Sequence, residues 1–397
     1  MNLRNGRSAA EVLIVGAGPA GLAAAIASAT SDLQVEVLDA RQPPIDKACG
    51  EGLMPDALDS LEALGFHLNR GLCNTENYLL SGIRFLNEHP SNNHPNHEHP
   101  NRTPTTAEAT FPANPGRGIR RTVLHQLLLD RALSLGVRFH WDNSVQSIEP
   151  ASIGHLVHTN RQTLRTRYLI GADGHHSRIA AWAGLTAATV HSSRIGLRQH
   201  YAIAPWTNFV EVYWSNHGQA YVTPTSSTEV CVAFISNKKI PSPHLALAHY
   251  PTLQRHLAAA TPSSAPRGSI TQGRSLRRVT ANNISLLGDA SGSVDAVTGE
   301  GLALCFRQAL ALARALNADD LDSYQHAHSR IQLAPSLMSR CLLQMDRSPR
   351  LRARVLNTFE RYPILFQRLL EVHIDHRACI FPGIDELLAT GLHLLTS

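Results

Sequence analysis

Glu11-Val-Leu-Ile-Val15 runs into Gly16-Ala-Gly18-Pro19-Ala20-Gly21, and Leu22 to Thr30 continues with strong helix formers. Gln34-Val-Glu-Val-Leu38 is a second β-type run, closed by Asp39 and followed by Ala40 and Arg41. The order is strand, G-x-G-x-x-G turn, helix, strand, acid. Gly16 permits the tight turn, Gly18 lets backbone N–H groups approach a pyrophosphate, and Gly21 lets the helix pack close to the strand. The helix N-terminus adds positive potential for phosphates. Asp39 stands 18 residues after Gly21 and can accept hydrogen bonds from a ribose diol. The pattern signals a dinucleotide but does not separate FAD from NAD.

The same stretch has a second reading. Met1 to Arg7 is short and basic, Val12 to Ala29 carries no charge, and Ala27-Ser28-Ala29 would suit a cleavage site. The placed glycines favour a buried strand and helix over a secretory leader. No other stretch is long and apolar enough to span a bilayer. We therefore expect a cytoplasmic protein, with contact at a membrane surface left open.

Working outward, Tyr168-Leu-Ile-Gly171-Ala172-Asp173-Gly174-His-His-Ser177 reads as a strand entering a tight polar turn. Leu286-Leu-Gly288-Asp289-Ala-Ser-Gly292 is another strand end followed by small residues. Thr298-Gly299-Glu300-Gly301 then opens a helix, Leu302 to Leu316, with Leu302, Phe306, Ala309, Leu310 and Ala313 on one face. In this order the three glycine segments resemble those of FAD-dependent oxidoreductases with the p-hydroxybenzoate hydroxylase fold. The closer resemblance is to the geranylgeranyl reductase-like branch. Lys47-Ala-Cys49-Gly50-Glu-Gly52 resembles its cysteine-glycine segment, and the TGEG sequence its flavin-side turn.

The resemblance spans about residues 10 to 325 and implies FAD, with NAD(P)H as reductant. It implies Asp289 on the ribityl chain beside Gly288, and Ala172, Asp173 and Gly174 beside the pyrophosphate and the approaching nicotinamide. Gly299, Glu300, Gly301 and Leu302 would open a helix aimed at the isoalloxazine, whose N–H groups stabilise negative charge there. Arg121 matches an arginine before a helix that contacts FAD phosphate or ribose. Cys49 and Gly50 would lie over the flavin, with Cys49 lining the substrate pocket or donating a proton. We expect Cys49, Gly299 and Glu300 as the catalytic group. Three positions depart from the pattern: Ala180 where an arginine is usual, with Arg178 nearby; Ala296 where a proline is usual; and Ala303 where hydroxylases often carry asparagine.

Arg194–Ile203, Phe209–Trp214, Gln219–Thr223 and Glu229–Ser236 read as an antiparallel sheet. In this fold such a sheet covers the flavin, and Tyr213 and Tyr221 are candidate substrate contacts. The stretch 81–114, with His89, His94, His97 and His99 among Asn and Pro, reads as a surface loop, not a metal site. Six dispersed cysteines without C-x-x-C give neither a disulfide framework nor a zinc site. With 36 Lys+Arg against 31 Asp+Glu, nothing points to nucleic acid.

From Gln332 the pattern is helical, broken by Pro335, Pro349, Pro363 and Pro382. Arg340 to Leu370 holds seven Arg and two acids interleaved with Leu, Val, Phe and Ile. Such helices form a capping bundle or rest on anionic lipid. The expected class is α/β (α+β): a Rossmann-like FAD-binding domain from 1–80, 115–190 and 280–330, an inserted antiparallel sheet at 191–279, and carboxy-terminal helices from 331 to 397. Function is expected to be reduction or dehydrogenation of a hydrophobic small molecule. Monooxygenation of an aromatic or polyketide-like ring and a non-catalytic flavin carrier are the alternatives.

Overall fold

A computed structural model describes residues 10–67, 76–88 and 104–374. The histidine-rich run of the expected loop, Pro382 and the residues on either side of it, and the basic Met1–Arg7 all lie outside the described residues.

Strand Ala10–Val15 is the centre of an eight-stranded sheet. Val35–Leu38 runs parallel to it on one side and Thr163–Gly171 on the other, with Arg138–His140 and Ile284–Leu286 beyond them. Val12, Leu13 and Ile14 are fully buried, as a strand covered on both faces requires. The register matters most. Val15 pairs with both Leu38 and Gly171, and Gly171 pairs with Leu286. All the glycine turns therefore leave the sheet at one edge, the carboxyl ends of parallel strands, where open α/β sheets bind ligands. Helix Pro19–Thr30 packs against helix Gly301–Asn317 on this layer.

The inserted sheet is present and larger than expected. Its order is Gly292–Ser293, Arg267–Leu276, Ala188–Ala202, Glu229–Ser236, Gly218–Ser226, Phe209–Ser215, Gly82–Asn87, Thr105–Thr110, with Thr261–Pro262 paired to Ala188–Ala202. Two of these strands fall in the stretch expected to be loop. Gly82–Asn87 and Thr105–Thr110 pair antiparallel, and Gly82–Asn87 joins Phe209–Ser215 in parallel. Composition hid them because the polar run between them dominates the window.

A small third sheet joins Gly52–Leu53, Gly116–Ile119 and Asn77–Leu80. Leu321–Arg347 is one helix of 27 residues with Pro335 inside it, where a break was expected. Proline removes one backbone hydrogen bond; packing of this helix on the Gly301 helix and on the turn Ala296–Thr298 holds it together. Pro349 and Pro363 do begin new helices, Pro349–Arg361 and Pro363–Ile374. These helices share a core with one face of the inserted sheet, through Leu342, Leu356, Phe366 and Leu370. The opposite face packs on the short helices Pro243–Leu247 and Pro251–His256.

Candidate active site

A cavity of about 600 Å³ runs from the edge of the first sheet to the carboxy-terminal helices. One end is the nucleotide cradle. Gly16, Gly18, Pro19 and Ala20 line it, with Asp39, Ala40 and Arg41 from the second strand and Ala172, Asp173 and Gly174 from the third turn. Gly21 supports the turn from behind: a Cβ there would lie 1.8 Å from the Gly16 carbonyl oxygen. Gly16 itself has φ +107°, a region that favours glycine. Asp39 is buried and accepts from the Ala17 amide at 2.8 Å and the Arg41 amide at 2.9 Å. Two oxygens with two lone pairs each leave acceptor capacity for a diol.

Gly18, Gly50, Gly174 and Gly301 line the cavity, and a Cβ on any of them would meet nothing within 4 Å. Backbone is thus bared toward the cavity. The Nε of Arg121 and the Oδ1 of Asp173 are buried without a hydrogen-bond partner, although buried polar atoms are normally satisfied. The other Asp173 oxygen accepts from the amides of Arg178 and Ile179. A cradle of bare backbone, an unspent guanidinium N–H and helix N-termini fit the pyrophosphate and ribose of FAD.

The middle of the cavity carries Cys49, Gly288, Asp289, Gly299, Gly301 and Leu302. Lys47 Nζ donates to Asp289. Burial pushes the Asp289 carboxyl up, but Lys47, Arg121 and His175 outweigh it and hold the group below its usual range. Its side chain is still 41% exposed, and it borders the cavity. Cys49 Sγ accepts from the Glu51 amide at 3.4 Å. Behind it lies a group that the sequence did not announce. Glu51, His200 and Cys231 are buried together. His200 Nε2–H donates to Glu51 at 2.6 Å, and its Nδ1 accepts from Arg198 at 3.0 Å and from Ser264 at 2.9 Å. Arg198 lies 3.8 Å from Glu51 as well. With a guanidinium inside it, the group works as an ion-pair core, not as a cation site. Burial pushes the Cys231 thiol well up, so it stays protonated.

Two site expectations need correction. Glu300 does not face the cavity: its side chain is fully buried and turns under the helix toward Asp56, Arg307 and His373. Tyr213 is not a substrate contact either. Val212 pairs with Tyr221 across two strands, so those two share a face, and Tyr213 points to the other. Tyr213 sits fully buried with its hydroxyl donating to Glu211 at 2.5 Å. Tyr221 does line the cavity, and its hydroxyl donates to the Val297 carbonyl at 2.9 Å.

The far end of the cavity is apolar. Ile83, Phe85, Phe111, Leu342, Phe366 and Leu370 form its walls, together with Tyr221. Ile83 and Phe85 come from strand Gly82–Asn87, hidden in the expected loop, and Phe366 and Leu370 from helix Pro363–Ile374. The helical spacing of Phe366, Leu370 and His373 was visible in the sequence, but not what it would cover.

The chain matches the FAD binding domain family over residues 9–327, which is most of its length. It belongs to that family. It is an FAD-dependent oxidoreductase. Among curated proteins it is 27% identical over 312 residues to the menaquinone reductase of Mycolicibacterium smegmatis, covering 74% of this chain and 73% of the relative. It is 25% identical over 305 residues to digeranylgeranylglycerophospholipid reductase 1 of Methanothermobacter thermautotrophicus, with the same coverage. The geranylgeranyl reductase-like resemblance holds. Among solved structures, a flavoprotein/dehydrogenase from Cytophaga hutchinsonii superposes with a TM-score of 0.72 at 16% identity, over 98% of this chain and 99% of that one. The halogenase PltM in complex with phloroglucinol and FAD superposes with a TM-score of 0.69 at 18% identity, over 94% and 87%. At these identities the structures share the fold. Among the described residues no helix is long and apolar enough to cross a membrane.

Proposed function

We propose that this flavoprotein uses NAD(P)H to reduce or dehydrogenate a hydrophobic small molecule of lipid, isoprenoid or polyketide-like character. The observation that carries this reading is the apolar lobe, continuous with the nucleotide cradle and walled by Ile83, Phe85, Phe111, Leu342 and Phe366. An apolar chain threaded there gains about 25 cal/mol for each Å² removed from water. The names of the two reductase relatives point the same way.

Bound FAD would supply the redox chemistry, with NAD(P)H as the hydride source. The protein holds and orients. In this reading Gly16, Gly18 and Gly174 admit the pyrophosphate, Arg121 gives its free N–H to it, and Asp39 takes the adenosine ribose. Asp289 takes the ribityl hydroxyls once Lys47 yields. The Gly301 amide, at the start of its helix, would be a donor toward the ring, whereas the Gly299 amide already donates to the Ala296 carbonyl at 3.1 Å. Cys49 stands at the junction of cradle and lobe, where its Sγ–H can give a proton to a substrate carbon. The helices Leu321–Arg347 and Pro363–Ile374 close the lobe and exclude water.

Together with helix Pro349–Arg361, these helices expose Arg340, Arg347, Arg350, Arg354, Arg361 and Arg368, and also Leu333, Leu337 and Ile364. We read this face as a cytoplasmic protein's resting surface on anionic lipid, from which an apolar substrate enters. One experiment tests both parts. The FAD-loaded protein is reduced anaerobically and mixed with anionic vesicles carrying menaquinone or a geranylgeranyl lipid. Rapid reoxidation of the flavin that slows severalfold at high salt is expected. No reoxidation by either lipid, followed by a hydroxylated product from an aromatic substrate on admitting O₂, would support the monooxygenase reading instead.

A further inference from the structure

Beneath the N-terminus of helix Gly301–Asn317 four titratable groups from three elements meet out of solvent. Glu300 precedes the helix, Arg307 lies within it, Asp56 opens helix Pro55–Ala63, and His373 ends helix Pro363–Ile374. Arg307 Nη2 is 3.9 Å from Asp56, and His373 Nδ1 is 3.7 Å from Glu300 Oε2. The Thr298 hydroxyl, from the preceding turn, also bonds to the Glu300 carboxyl. His373 Nε2–H donates to the Thr298 carbonyl at 3.2 Å. A carbonyl only accepts, so the His373 proton sits on Nε2, and the bare Nδ1 faces Glu300. Burial also pushes the His373 pKa down, which keeps the ring neutral.

The charges can then be assigned. Burial pushes Asp56 up to about 6, against the pull of Arg307 and with Glu300 adding to the rise. Burial pushes Glu300 further, to about 8, against Arg307 and Thr298. Between these values one carboxylate, Asp56, balances one guanidinium, Arg307, and Glu300 keeps its proton. The group is neutral and holds one proton that it can lose. Gly299 and Gly301 flank Glu300 and line the cavity where the flavin ring would lie. An ionised Glu300 would place a negative charge under the helix N-terminus and cancel its positive potential.

We propose that Glu300 is a proton-holding residue whose protonation is linked to negative charge in the cavity, so that reducing the flavin to its anion makes Glu300 bind a proton. This rests on FAD occupying the cavity with its ring at this helix. The balance is simple. Two electrons and one proton convert the oxidised flavin to the reduced monoanion, and where Glu300 was ionised beforehand a second proton is taken up at its carboxylate. By linkage the coupling is reciprocal: a protonated Glu300 makes the flavin easier to reduce. Below the Glu300 pKa both redox states keep the proton and there is no extra uptake. Above it, uptake accompanies reduction until the higher pKa of the reduced state is passed.

The test is a spectroelectrochemical titration of the FAD-loaded protein between pH 6 and 10. For the wild type, the midpoint potential should fall more steeply with pH once pH 8 is passed. The added slope is a tenfold change in the reduction equilibrium per pH unit, about 30 mV for a two-electron couple. Glu300→Gln should lose that break and match the wild type near pH 6.5. Asp56→Asn leaves Arg307 to act on Glu300 alone and should keep the break but move it to lower pH. Full FAD occupancy with the same slope in wild type and Glu300→Gln overturns this inference and leaves the cofactor assignment standing. A break that stays put in Asp56→Asn also overturns it. Failure to hold FAD at all overturns both.

Discussion

A Gly21→Ala chain is expected to be recovered mostly insoluble and free of flavin, while Gly18→Ala folds normally and binds FAD poorly. The two glycines stand three residues apart in one motif and do different work. A methyl at position 21 would lie 1.8 Å from the Gly16 carbonyl oxygen. Gly16 cannot retreat, because its own Cβ position is 2.3 Å from the Ala172 carbonyl oxygen and its φ is +107°. The helix would have to lift off the central strand, at a cost of about 4 kcal/mol or more. That is a large share of the roughly 5–15 kcal/mol that holds a domain folded. Gly18 has φ −71° and ψ 175°, which alanine adopts freely, and open space at its Cβ. Its methyl would project into the cradle and hold the pyrophosphate away from the amides. Thermal melts without FAD should superpose for Gly18→Ala and wild type, and FAD affinity should fall at least about tenfold, or about 1.4 kcal/mol. Wild-type affinity in Gly18→Ala would mean that the dinucleotide does not use this turn.

Asp295→Ala should destabilise the protein by about 3–5 kcal/mol, the usual cost of stranding one partner of a buried ion pair. Asp295 is 1% exposed and accepts from Ser192 at 2.6 Å, from Arg194 Nε at 3.2 Å and from the Val297 amide at 3.0 Å, with a further bond from Arg194 Nη2. It ties strand Ala188–Ala202 of the inserted sheet to the turn Ala296–Thr298, and that turn lines the cavity beside Gly299. Without the carboxylate, Arg194 stays buried with Gln219 and with Asp346 at 3.6 Å. Urea unfolding measures the loss, and flavin occupancy should fall with it because the turn is no longer pinned. A loss under about 1 kcal/mol would show that Asp346 suffices and that the turn holds itself.

The nucleotide half of the site was legible because each of its residues has a local reason. Gly16 and Gly21 are forced by backbone contacts within or next to their own motif. Asp39 and Asp289 end strands whose apolar runs are plain, and parallel pairing brings those strand ends to one edge. The substrate half was not legible. Tyr213 and Tyr221 look alike in sequence, and only the pairing of Val212 with Tyr221 decides which of them sees the cavity. Strands 82–87 and 105–110 are short and flank a polar run, so their pairing with each other, and that of 82–87 with Phe209–Ser215, is what makes them strands. Pro335 reads as a stop, yet packing carries the helix through it. Glu300 was singled out for its motif and expected to face the flavin. Its partners, Asp56 and His373, come from distant parts of the chain with no pattern linking them to it, so its inward turn could not be foreseen.

All of this depends on three separated turns holding one FAD across a single cavity. The direct measurement is the flavin content of refolded or purified protein after incubation with excess FAD and desalting. One FAD per chain, with a visible flavin spectrum perturbed from that of free FAD, is the predicted result. Folded protein that elutes colourless, with all the FAD in the small-molecule fraction, would contradict the account.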